Sequence, residues 1–474
     1  MFVQQFFVKG LAHSSYLLGG ANHCAIVDPQ RDIQIYIDAA KDLGMKITHI
    51  IETHLHADFI SGHLDLARAT GAKIYAPKAG KCSFKHKALS EGDRFNIDDL
   101  AISVLETPGH TPEHISYVVV DKLRGKEPVA VFCGDTLFVG DVGRPDLFPG
   151  KAKQLASKLY DNLHNKLMKL PDFCAVYPAH GAGSLCGRAM GANRTSTIGY
   201  ERRYNAALQI KDKDEFIKSL TTNMPAAPDH FARCSAINSK GPALVSALPE
   251  LRAYEPAEFD KLARRKNTSV LDIRSYESFG GAHIARAFHI DAGGNFSTFA
   301  GWVIPPEKEI LLVVDKPEDA WRAAKMLRRV GIDKVVGFLD GSMFSWSKAG
   351  MPLDHVQQWS AKELYTAMHG KNPVTVVDVR APGEFAKSHI KGAINIPAPE
   401  LRKRYRELNA KKPVAFICST GHRSSLAASL VEQHGFNSVY NVAGGMTGYT
   451  DAGYAKECPM CMLPHGPRYL GVKA

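Results

Sequence analysis

The sequence contains no apolar run that approaches the roughly 20 residues of a membrane-spanning helix. It has only nine cysteines among 474 residues. That number is odd and the residues are scattered, which argues against a disulfide framework and favours a reducing compartment. The opening residues, MFVQQFFVKG, lack a basic lead and a small-residue cleavage site, so we expect a strand there and not a signal peptide. These absences predict a cytoplasmic protein that has no membrane partner.

The charge is one-sided but dispersed. The formal net charge is +11, and the basic residues form only short runs such as residues 264–266 and 402–404. No recognition motif and no interleaving of aromatic with basic residues accompanies this charge, so we expect no nucleic-acid partner. A solvated surface with an excess of basic residues explains this charge. The alternative is that the positive charge attracts small anionic substrates.

The chain is too long for one hydrophobic core, and it contains an internal repeat. Residues 272–290, DIRSYESFGGAHIARAFHI, match residues 378–396, DVRAPGEFAKSHIKGAINI, at a constant offset. Each copy alternates short apolar strands with helical segments, which predicts an α/β domain with a parallel sheet and helices on both faces. We therefore expect four segments: a first domain over 1–225, repeat domains over 256–355 and 358–457, and a tail over 458–474.

Four motifs in the first segment place histidine or aspartate directly after an apolar strand. They are THLHADF at 53–59, TPGH at 107–110, CGD at 133–135 and YPAH at 177–180. Imidazoles two positions apart at a strand end project from one side of the chain, and loops that follow different strands meet at one edge of a sheet. The pattern therefore predicts a metal site built from some of six residues: His54, His56, Asp58, His110, Asp135 and His180.

These motifs resemble those of the metallo-β-lactamase superfamily, over residues 1 to about 225. The resemblance implies an α+β fold, an αββα sandwich of two facing sheets. One position departs from the family pattern His-X-His-X-Asp-His, because Phe59 replaces its last histidine. In the dinuclear hydrolases of this superfamily that histidine belongs to the second metal. Phenylalanine has no ligand atom, so the departure weakens the case for a two-metal hydrolase.

Within the superfamily, the segment is similar to the persulfide dioxygenases. That resemblance implies one Fe(II) per chain, held by His54, His110 and Asp135. Two histidines and one carboxylate form the triad of non-heme iron oxygenases, which leaves positions open for O₂ and substrate. His56, Asp58 and His180 then become outer residues that orient the ligands. A zinc ion held by His54, His56 and His110 is the competing assignment.

Two neighbouring segments also match these dioxygenases. GDVGRPD places Arg144 after the Asp135 strand, where the guanidinium would either bind an anionic substrate or pair with a structural carboxylate. GAGSLCG places Cys186 shortly after His180. Its thiol is either a small buried apolar group or a sulfur acceptor beside the metal.

The second repeat carries a cysteine between an apolar strand and a helix, in FICSTGHRS at 416–424. Backbone N–H groups of such a loop, a helix expected over Ser424–Gln433, and Arg423 all favour an anionic sulfur at Cys418. With the flanking motifs, residues 358 to about 455 resemble rhodanese sulfurtransferases. The resemblance implies that Cys418 accepts a sulfane sulfur and passes it to a nucleophile such as sulfite.

The first repeat lacks this apparatus. Asp315 stands where the cysteine of the second repeat stands, and no arginine corresponds to Arg423. A carboxylate cannot hold a persulfide, so we expect residues 256–355 to form an inactive rhodanese-like copy. In the tail, Cys458 and Cys461 have the spacing of a redox or half-metal motif, and an ordinary surface tail is the alternative.

The order of domains resembles fusions of persulfide dioxygenase with rhodanese. It implies oxidation of low-molecular-weight persulfides, such as glutathione persulfide, by O₂ to sulfite in sulfide detoxification. Sulfane sulfur would also move through Cys418 to or from sulfite and thiosulfate. Two alternatives remain open: a thioester hydrolase of the glyoxalase II type with an appended sulfurtransferase, and a non-enzymatic sulfur carrier or sensor. A homo-oligomer also remains open.

Overall fold

The computed structural model describes residues 1–454 except 189, 223, 225, 226 and 229. These residues form two compact units: Met1–Ala247 with Arg329–Gly331, and Leu248–Arg328 with the described residues from Ile332 onward. Within the described ranges, no helix is long and apolar enough to cross a bilayer. Cys458, Cys461 and the rest of the predicted tail lie outside the described residues.

The first sheet of the first unit has six strands in sequence order. They are β1 (Phe2–Val8), β2 (His13–Gly19), β3 (His23–Val27), β4 (Lys46–Ile51), β5 (Lys73–Pro77) and β6 (Lys87–Leu89). The first three strands pair antiparallel, and β3 to β6 pair parallel. The connections contain α1 (Gln34–Asp42), α2 (His63–Thr70) and a 3₁₀ turn at Lys78–Gly80.

The second sheet of this unit also has six strands, in the order β12-β11-β10-β9-β8-β7. They are β7 (Arg94–Ile97), β8 (Leu100–Glu106), β9 (Ile115–Asp121), β10 (Ala130–Gly134), β11 (Ala175–Pro178) and β12 (Ser196–Thr197). The helices are α3 (Ala152–Asn165), α4 (Ile198–Tyr204), α5 (Ala206–Gln209), α6 (Lys213–Thr221) and α7 (His230–Lys240), with 3₁₀ turns at Leu167–Lys169 and Val245–Ala247.

The main core of the first unit lies between its two sheets. Alternate residues of β8 (Leu100, Ile102 and Val104) are buried in it together with Leu18 and Val27 of the first sheet. This is the period of two that a strand with one buried face requires. Separate apolar clusters pack α1 and α2 on the outer face of the first sheet and α3 and α6 on that of the second. The predicted αββα sandwich is confirmed.

The second unit contains two five-stranded sheets, in the orders β13-β17-β16-β14-β15 and β18-β22-β21-β19-β20. The elements of the first repeat are β13 (Arg252–Tyr254), α8 (Pro256–Ala263), β14 (Thr268–Asp272), α9 (Tyr276–Gly281), β15 (Phe288–His289), α10 (Phe296–Val303), β16 (Glu309–Val313), α11 (Pro317–Arg328), β17 (Val335–Leu339) and α12 (Ser342–Lys348). Those of the second are β18 (Gln357–Trp359), α13 (Ala361–Met368), β19 (Thr375–Asp378), α14 (Pro382–Lys387), β20 (Ile394–Asn395), α15 (Ala398–Arg404), a 3₁₀ turn at Tyr405–Glu407, β21 (Val414–Ile417), α16 (His422–Glu432), β22 (Val439–Val442) and α17 (Gly445–Asp451).

Both of these sheets are parallel, as the repeat pattern predicts. The repeat is visible in side-chain detail as well. Arg274 forms a 2.6 Å ion pair with Asp272 in the first copy, and Arg380 forms a 2.6 Å pair with Asp378 in the second. In each copy the same guanidinium also donates to a carbonyl eight residues further along the chain. The two copies therefore share one fold.

Candidate metal centre and thiol site

The loop after β4 is fixed by a buried aspartate, Asp28, which directly follows the neighbouring strand β3. The carboxylate of Asp28 accepts hydrogen bonds from the backbone N–H of Thr53 (2.7 Å) and from its hydroxyl (2.9 Å). Because the Thr53 hydroxyl donates to Asp28, it accepts from Nδ1 of His54, at 2.9 Å. This chain of bonds leaves Nε2 of His54 as the ring nitrogen that is free to act as a ligand.

His110 is oriented in the same way by a backbone carbonyl. Its Nδ1 donates to the carbonyl oxygen of Arg144 at 2.8 Å, so its Nε2 also carries the lone pair. The Oδ2 atom of Asp135 lies 3.3 Å from Nε2 of His110 and 3.8 Å from Nε2 of His54. All three side chains are fully buried.

These three residues fit a metal ion. One ligand atom from each lies within 4.8 Å of the others. The Nε2 atoms of His54 and His110 are buried without a hydrogen-bond partner, which is costly unless another group satisfies them. Burial lowers the pKa of both rings, so both are neutral at pH 7 and offer a lone pair. The sequence pattern predicted that these ligands meet at one edge of a single sheet. In the structure they follow strands of both sheets, β4 of the first and β8 and β10 of the second.

His180 and Asp58 stand behind this group. Nδ1 of His180 lies 2.7 Å from Oδ1 of Asp135, and its Nε2 lies 2.8 Å from Oδ2 of Asp58. Burial opposes charge on Asp135, yet the His180 and His110 rings lower its pKa well below the usual range. Burial likewise opposes a charged His180, but Asp135 and Asp58 raise its pKa well above the usual value. Asp135 is therefore held as a carboxylate.

His56 turns toward a different pair of acids. Its Nε2 lies 3.1 Å from Asp28 and 3.8 Å from Glu52. The three side chains form a buried group separate from the one that contains His54. Phe59 is fully buried and packs against the His56 ring, with centroids 4.4 Å apart. The geometry thus brings His54, His110 and Asp135 together and places His56 with the acids.

Arg144 and Cys186, the two candidates from the neighbouring segments, are both buried. The Arg144 guanidinium makes two 2.7 Å bonds to Asp146 and one to the carbonyl of Leu185, which matches the alternative of a structural arginine. Cys186 lies with Asp58 and His180 within 4.8 Å, and burial raises its pKa well above the usual value. Its thiol is therefore next to the outer residues of the candidate metal centre.

Three positioning residues escaped the sequence analysis. His114 is buried, stacks on the His54 ring at 4.8 Å, and accepts a bond from the backbone N–H of Asp135. Asn238 of α7 donates to the carbonyls of His56 and Phe59 and accepts from the N–H of Ser61. The ring of His13 lies 4.0 Å from that of Phe59. Among these, only His114 carried a local signal, since it follows His110 by four residues.

Two glycines allow a close approach of the backbone to His114 and to the Asp135 loop. Gly134 has a φ of +49°, and a Cβ atom there would lie 2.5 Å from Nε2 of His114. A Cβ atom on Gly143 would lie 1.9 Å from the carbonyl oxygen of Asp135. Side chains at either position would displace the Asp135 loop.

In the second unit, Cys418 lies at the end of β21 with its thiol 1% exposed. Its Sγ accepts a bond from the backbone N–H of Gly421 at 3.1 Å and from the Ser424 hydroxyl at 3.4 Å. The helix α16 begins at His422, two residues before the predicted start, because Gly421 takes the left-handed conformation at its N-cap. The amino end of a helix and its N–H groups favour an anionic sulfur.

Arg423 lies in the first turn of this helix. It forms a bidentate pair with Glu384, at 2.8 and 2.9 Å, and donates to the Ser419 hydroxyl at 2.7 Å. It therefore braces the loop around Cys418. In the first repeat, Asp315 follows β16 as an exposed residue, and α11 begins at Pro317. No four-residue loop precedes that helix.

A family model of the metallo-beta-lactamase superfamily matches residues 8–180, and one of the rhodanese-like domain matches residues 255–349 and 360–452. The crystal structure of a metallo-beta-lactamase from Staphylococcus aureus subsp. aureus COL is 34% identical, with a TM-score of 0.65, and covers 71% of this chain and 99% of that chain. The chain belongs to the metallo-β-lactamase superfamily. In this superfamily member, two rhodanese-like domains follow the metallo-β-lactamase fold.

Relatives of this superfamily member carry two different activities. The hydroxyacylglutathione hydrolase of Rhodospirillum rubrum is 39% identical over 159 residues, which are 33% of this chain and 57% of the hydrolase. The mitochondrial persulfide dioxygenase ETHE1 of Mus musculus is 30% identical over 233 residues, 47% of this chain and 82% of the dioxygenase. These similarities establish the fold but do not distinguish between the two reactions.

Proposed function

We propose that the first unit is a persulfide dioxygenase that uses one iron ion held by His54, His110 and Asp135. One observation carries this proposal: the unpartnered Nε2 atoms of His54 and His110 flank one carboxylate oxygen of Asp135. Two imidazoles and one carboxylate are the donor set of non-heme Fe(II) oxygenases. The similarity to the persulfide dioxygenase of Mus musculus supports the same reaction.

The proposed reaction converts a persulfide, O₂ and water into a thiol, sulfite and two protons (RSSH + O₂ + H₂O → RSH + SO₃²⁻ + 2 H⁺). Bound Fe(II) would supply the activation of O₂. The chain's own residues set the ligand geometry: Thr53 and the Arg144 carbonyl orient the two imidazoles. His180, held between Asp58 and Asp135, keeps the ligand carboxylate ionised.

A thioester hydrolase is the second candidate, favoured by the Rhodospirillum rubrum relative. Asp58, His180 and Cys186 form a second buried group with ligand atoms within 4.8 Å of one another. However, Phe59 provides no ligand at the position beside Asp58, and both ring nitrogens of His180 already contact carboxylates. A single-metal dioxygenase needs no ligand from Phe59 and leaves both contacts of His180 in place.

For the second unit we propose sulfur transfer through Cys418. Its Sγ accepts bonds from Gly421 and Ser424 at the amino end of α16, an environment that stabilises a thiolate or a persulfide anion. Sulfite and thiosulfate are the proposed acceptor and product. The first repeat, with Asp315 in place of cysteine, has no atom that can hold sulfane sulfur.

The decisive experiment combines anaerobic metal analysis with O₂ uptake on glutathione persulfide. We expect one iron per chain and O₂ consumption that depends on the persulfide. Two zinc ions per chain with thioester hydrolysis would establish the hydrolase instead. Persulfide on Cys418 without any O₂ uptake would establish a sulfur carrier.

A further inference from the structure

An aromatic residue of the first rhodanese-like repeat lies against the thiol loop of the second. A Cβ atom built on Gly421 would lie 3.1 Å from Cζ of Tyr276 and 3.4 Å from its hydroxyl oxygen. The Tyr276 ring also meets the His422 ring edge to face, with centroids 5.2 Å apart. Tyr276 therefore covers the residue whose N–H bonds to the sulfur of Cys418.

Polar contacts fix the first repeat in this place. The carboxylate of Asp291 lies 3.3 Å from Nδ1 of His422. Nδ1 of His289 lies 2.8 Å from the hydroxyl of Ser425, and the backbone N–H of His289 donates to Ser429. These contacts hold β15 along α16, the helix that begins at the thiol loop. Movement of the first repeat away from α16 would break these contacts together.

The residues of the first repeat that make these contacts are among the positions at which the two repeats differ. At the constant offset between the copies, Tyr276, His289 and Asp291 correspond to Pro382, Asn395 and Pro397 of the second repeat. Asn395 donates to carbonyls of its own repeat, those of Asp378 and Arg380. His289 keeps one such contact, to the Arg274 carbonyl, while its Nδ1 faces Ser425. The first copy thus lacks the sulfur-carrying cysteine but has side chains suited to the cysteine loop of its neighbour.

We propose that the Tyr276 ring narrows the path to Cys418. It thereby favours sulfur transfer to small acceptors such as sulfite over transfer to bulky thiols such as glutathione. This inference rests on the proposed sulfur transfer. In that step the sulfur of sulfite forms a bond to the outer sulfur of the Cys418 persulfide, the S–S bond to Cys418 breaks, and Cys418 leaves as a thiolate. The Cys418 side chain is 1% exposed, so an acceptor must enter beside the residues that cover it.

The test measures acceptor preference in a single turnover of the full chain. Cys418 is loaded with sulfur from thiosulfate and the protein is desalted, after which mass spectrometry follows loss of the persulfide to glutathione or to sulfite. We expect Tyr276→Ala to raise the glutathione-to-sulfite ratio of rate constants by about tenfold, the scale at which pocket shape discriminates between substrates. Tyr276→Trp should lower the ratio, which a merely unfolded variant would not do.

Two further variants separate the ring from the hydroxyl and from unrelated surface changes. Tyr276→Phe keeps the ring and should leave the ratio close to that of the wild type. Phe344→Ala removes a ring that is 77% exposed on the same repeat and should have no effect. An unchanged ratio in both Tyr276→Ala and Tyr276→Trp would overturn the inference while sulfur transfer stands. Failure of the wild type to load Cys418 would overturn the sulfur transfer itself, and this inference with it.

Discussion

Nε2 of His56 lies 3.1 Å from Oδ1 of Asp28, so this nitrogen faces an acid although the ring lies only 4.1 Å from that of the candidate metal ligand His54. Asp28 cannot move freely to release it, since its carboxylate also holds the backbone and hydroxyl of Thr53. The pKa of His56 is raised because Asp28 and Glu52 outweigh the cost of burying its charge. The competing zinc set of His54, His56 and His110 would require this buried pair to break.

The first prediction concerns the metal. His110→Ala removes one of three candidate ligands, so we expect iron affinity to fall by more than about 100-fold and O₂ uptake to be lost. The measurement is metal content after anaerobic purification, paired with O₂ consumption on glutathione persulfide.

His56→Ala provides the contrast within the same loop. This variant should lose stability because the buried Asp28 carboxylate keeps its bonds from Thr53 but loses the imidazole beside it, yet the variant should still bind iron. His23→Ala is the control, since His23 is half-exposed and pairs with Asp98. This variant should keep both its iron and its stability. Equal loss of metal in His110→Ala and His56→Ala would contradict the ligand set.

The sequence could predict this site because its signals are local. A histidine or aspartate that directly follows an apolar strand is visible in a few residues, as at His110 and Asp135. The sequence could not predict the partner of His56, because Asp28 follows a different strand, β3, and its aspartate–proline context is typical of a turn. Asn238 is further still, 182 residues from His56 along the chain, and only folding brings α7 to the loop.

The second prediction concerns acid stability. Burial would raise the pKa of Glu384, but its bidentate pair with Arg423 lowers it to about 2. A carboxylate with a depressed pKa stabilises the fold above its unfolded pKa, and this contribution is lost as the pH falls from about 4.5 toward 2. The shift corresponds to at most about 3 kcal/mol at neutral pH.

Glu384→Gln should therefore weaken the second repeat at pH 7 and reduce its sensitivity to acid between these pH values. Hydrogen exchange of the β21 and α16 amides is the measurement. Glu407→Gln is the matched control, since Glu407 pairs with Arg404 on the surface, where solvent screens the interaction. The same acid profile in the wild type and in Glu384→Gln would refute the assignment.

The third prediction concerns the first repeat. Only Cys418 should gain sulfur from thiosulfate within the two repeats, and Asp315→Cys should not create a second carrier. The reason is the backbone: α11 begins two residues after Asp315, whereas Gly421, three residues after Cys418, donates its N–H to the sulfur. Peptide mapping by mass spectrometry locates the persulfide. A persulfide on residue 315 of that variant would show that the loop is not required.

For the two repeats, the sequence could predict which copy is inactive but not how the copies contact each other. The missing cysteine at Asp315 was visible by aligning the two copies, and the exposed position of Asp315 agrees with an inactive loop. The contact of Tyr276 with the Gly421 loop was not visible, because repeats of one fold can dock in many ways. Alignment compares equivalent positions, whereas docking joins positions that are not equivalent.

The last prediction concerns why the two activities share one chain. Sulfite produced in the first unit is a nucleophile, and a Cys418 persulfide is a sulfur donor to it. A covalent tether provides an effective concentration on the order of mM, far above typical assay concentrations of enzyme. Wild-type protein given persulfide and O₂ should therefore release much of its sulfur as thiosulfate. Cys418→Ser should release mainly sulfite, with O₂ consumed at a similar rate.

An equimolar mixture of Cys418→Ser and His110→Ala isolates the effect of the tether. The mixture contains one working copy of each site, but on separate chains. At low protein concentration it should form less thiosulfate than the wild type with the same number of working sites, because sulfite must then diffuse to another molecule. Dilution should widen this gap, since only the tethered pair keeps its effective concentration. Equal thiosulfate yields from the mixture and the wild type at every dilution would mean that the two sites work independently, whatever each one catalyses.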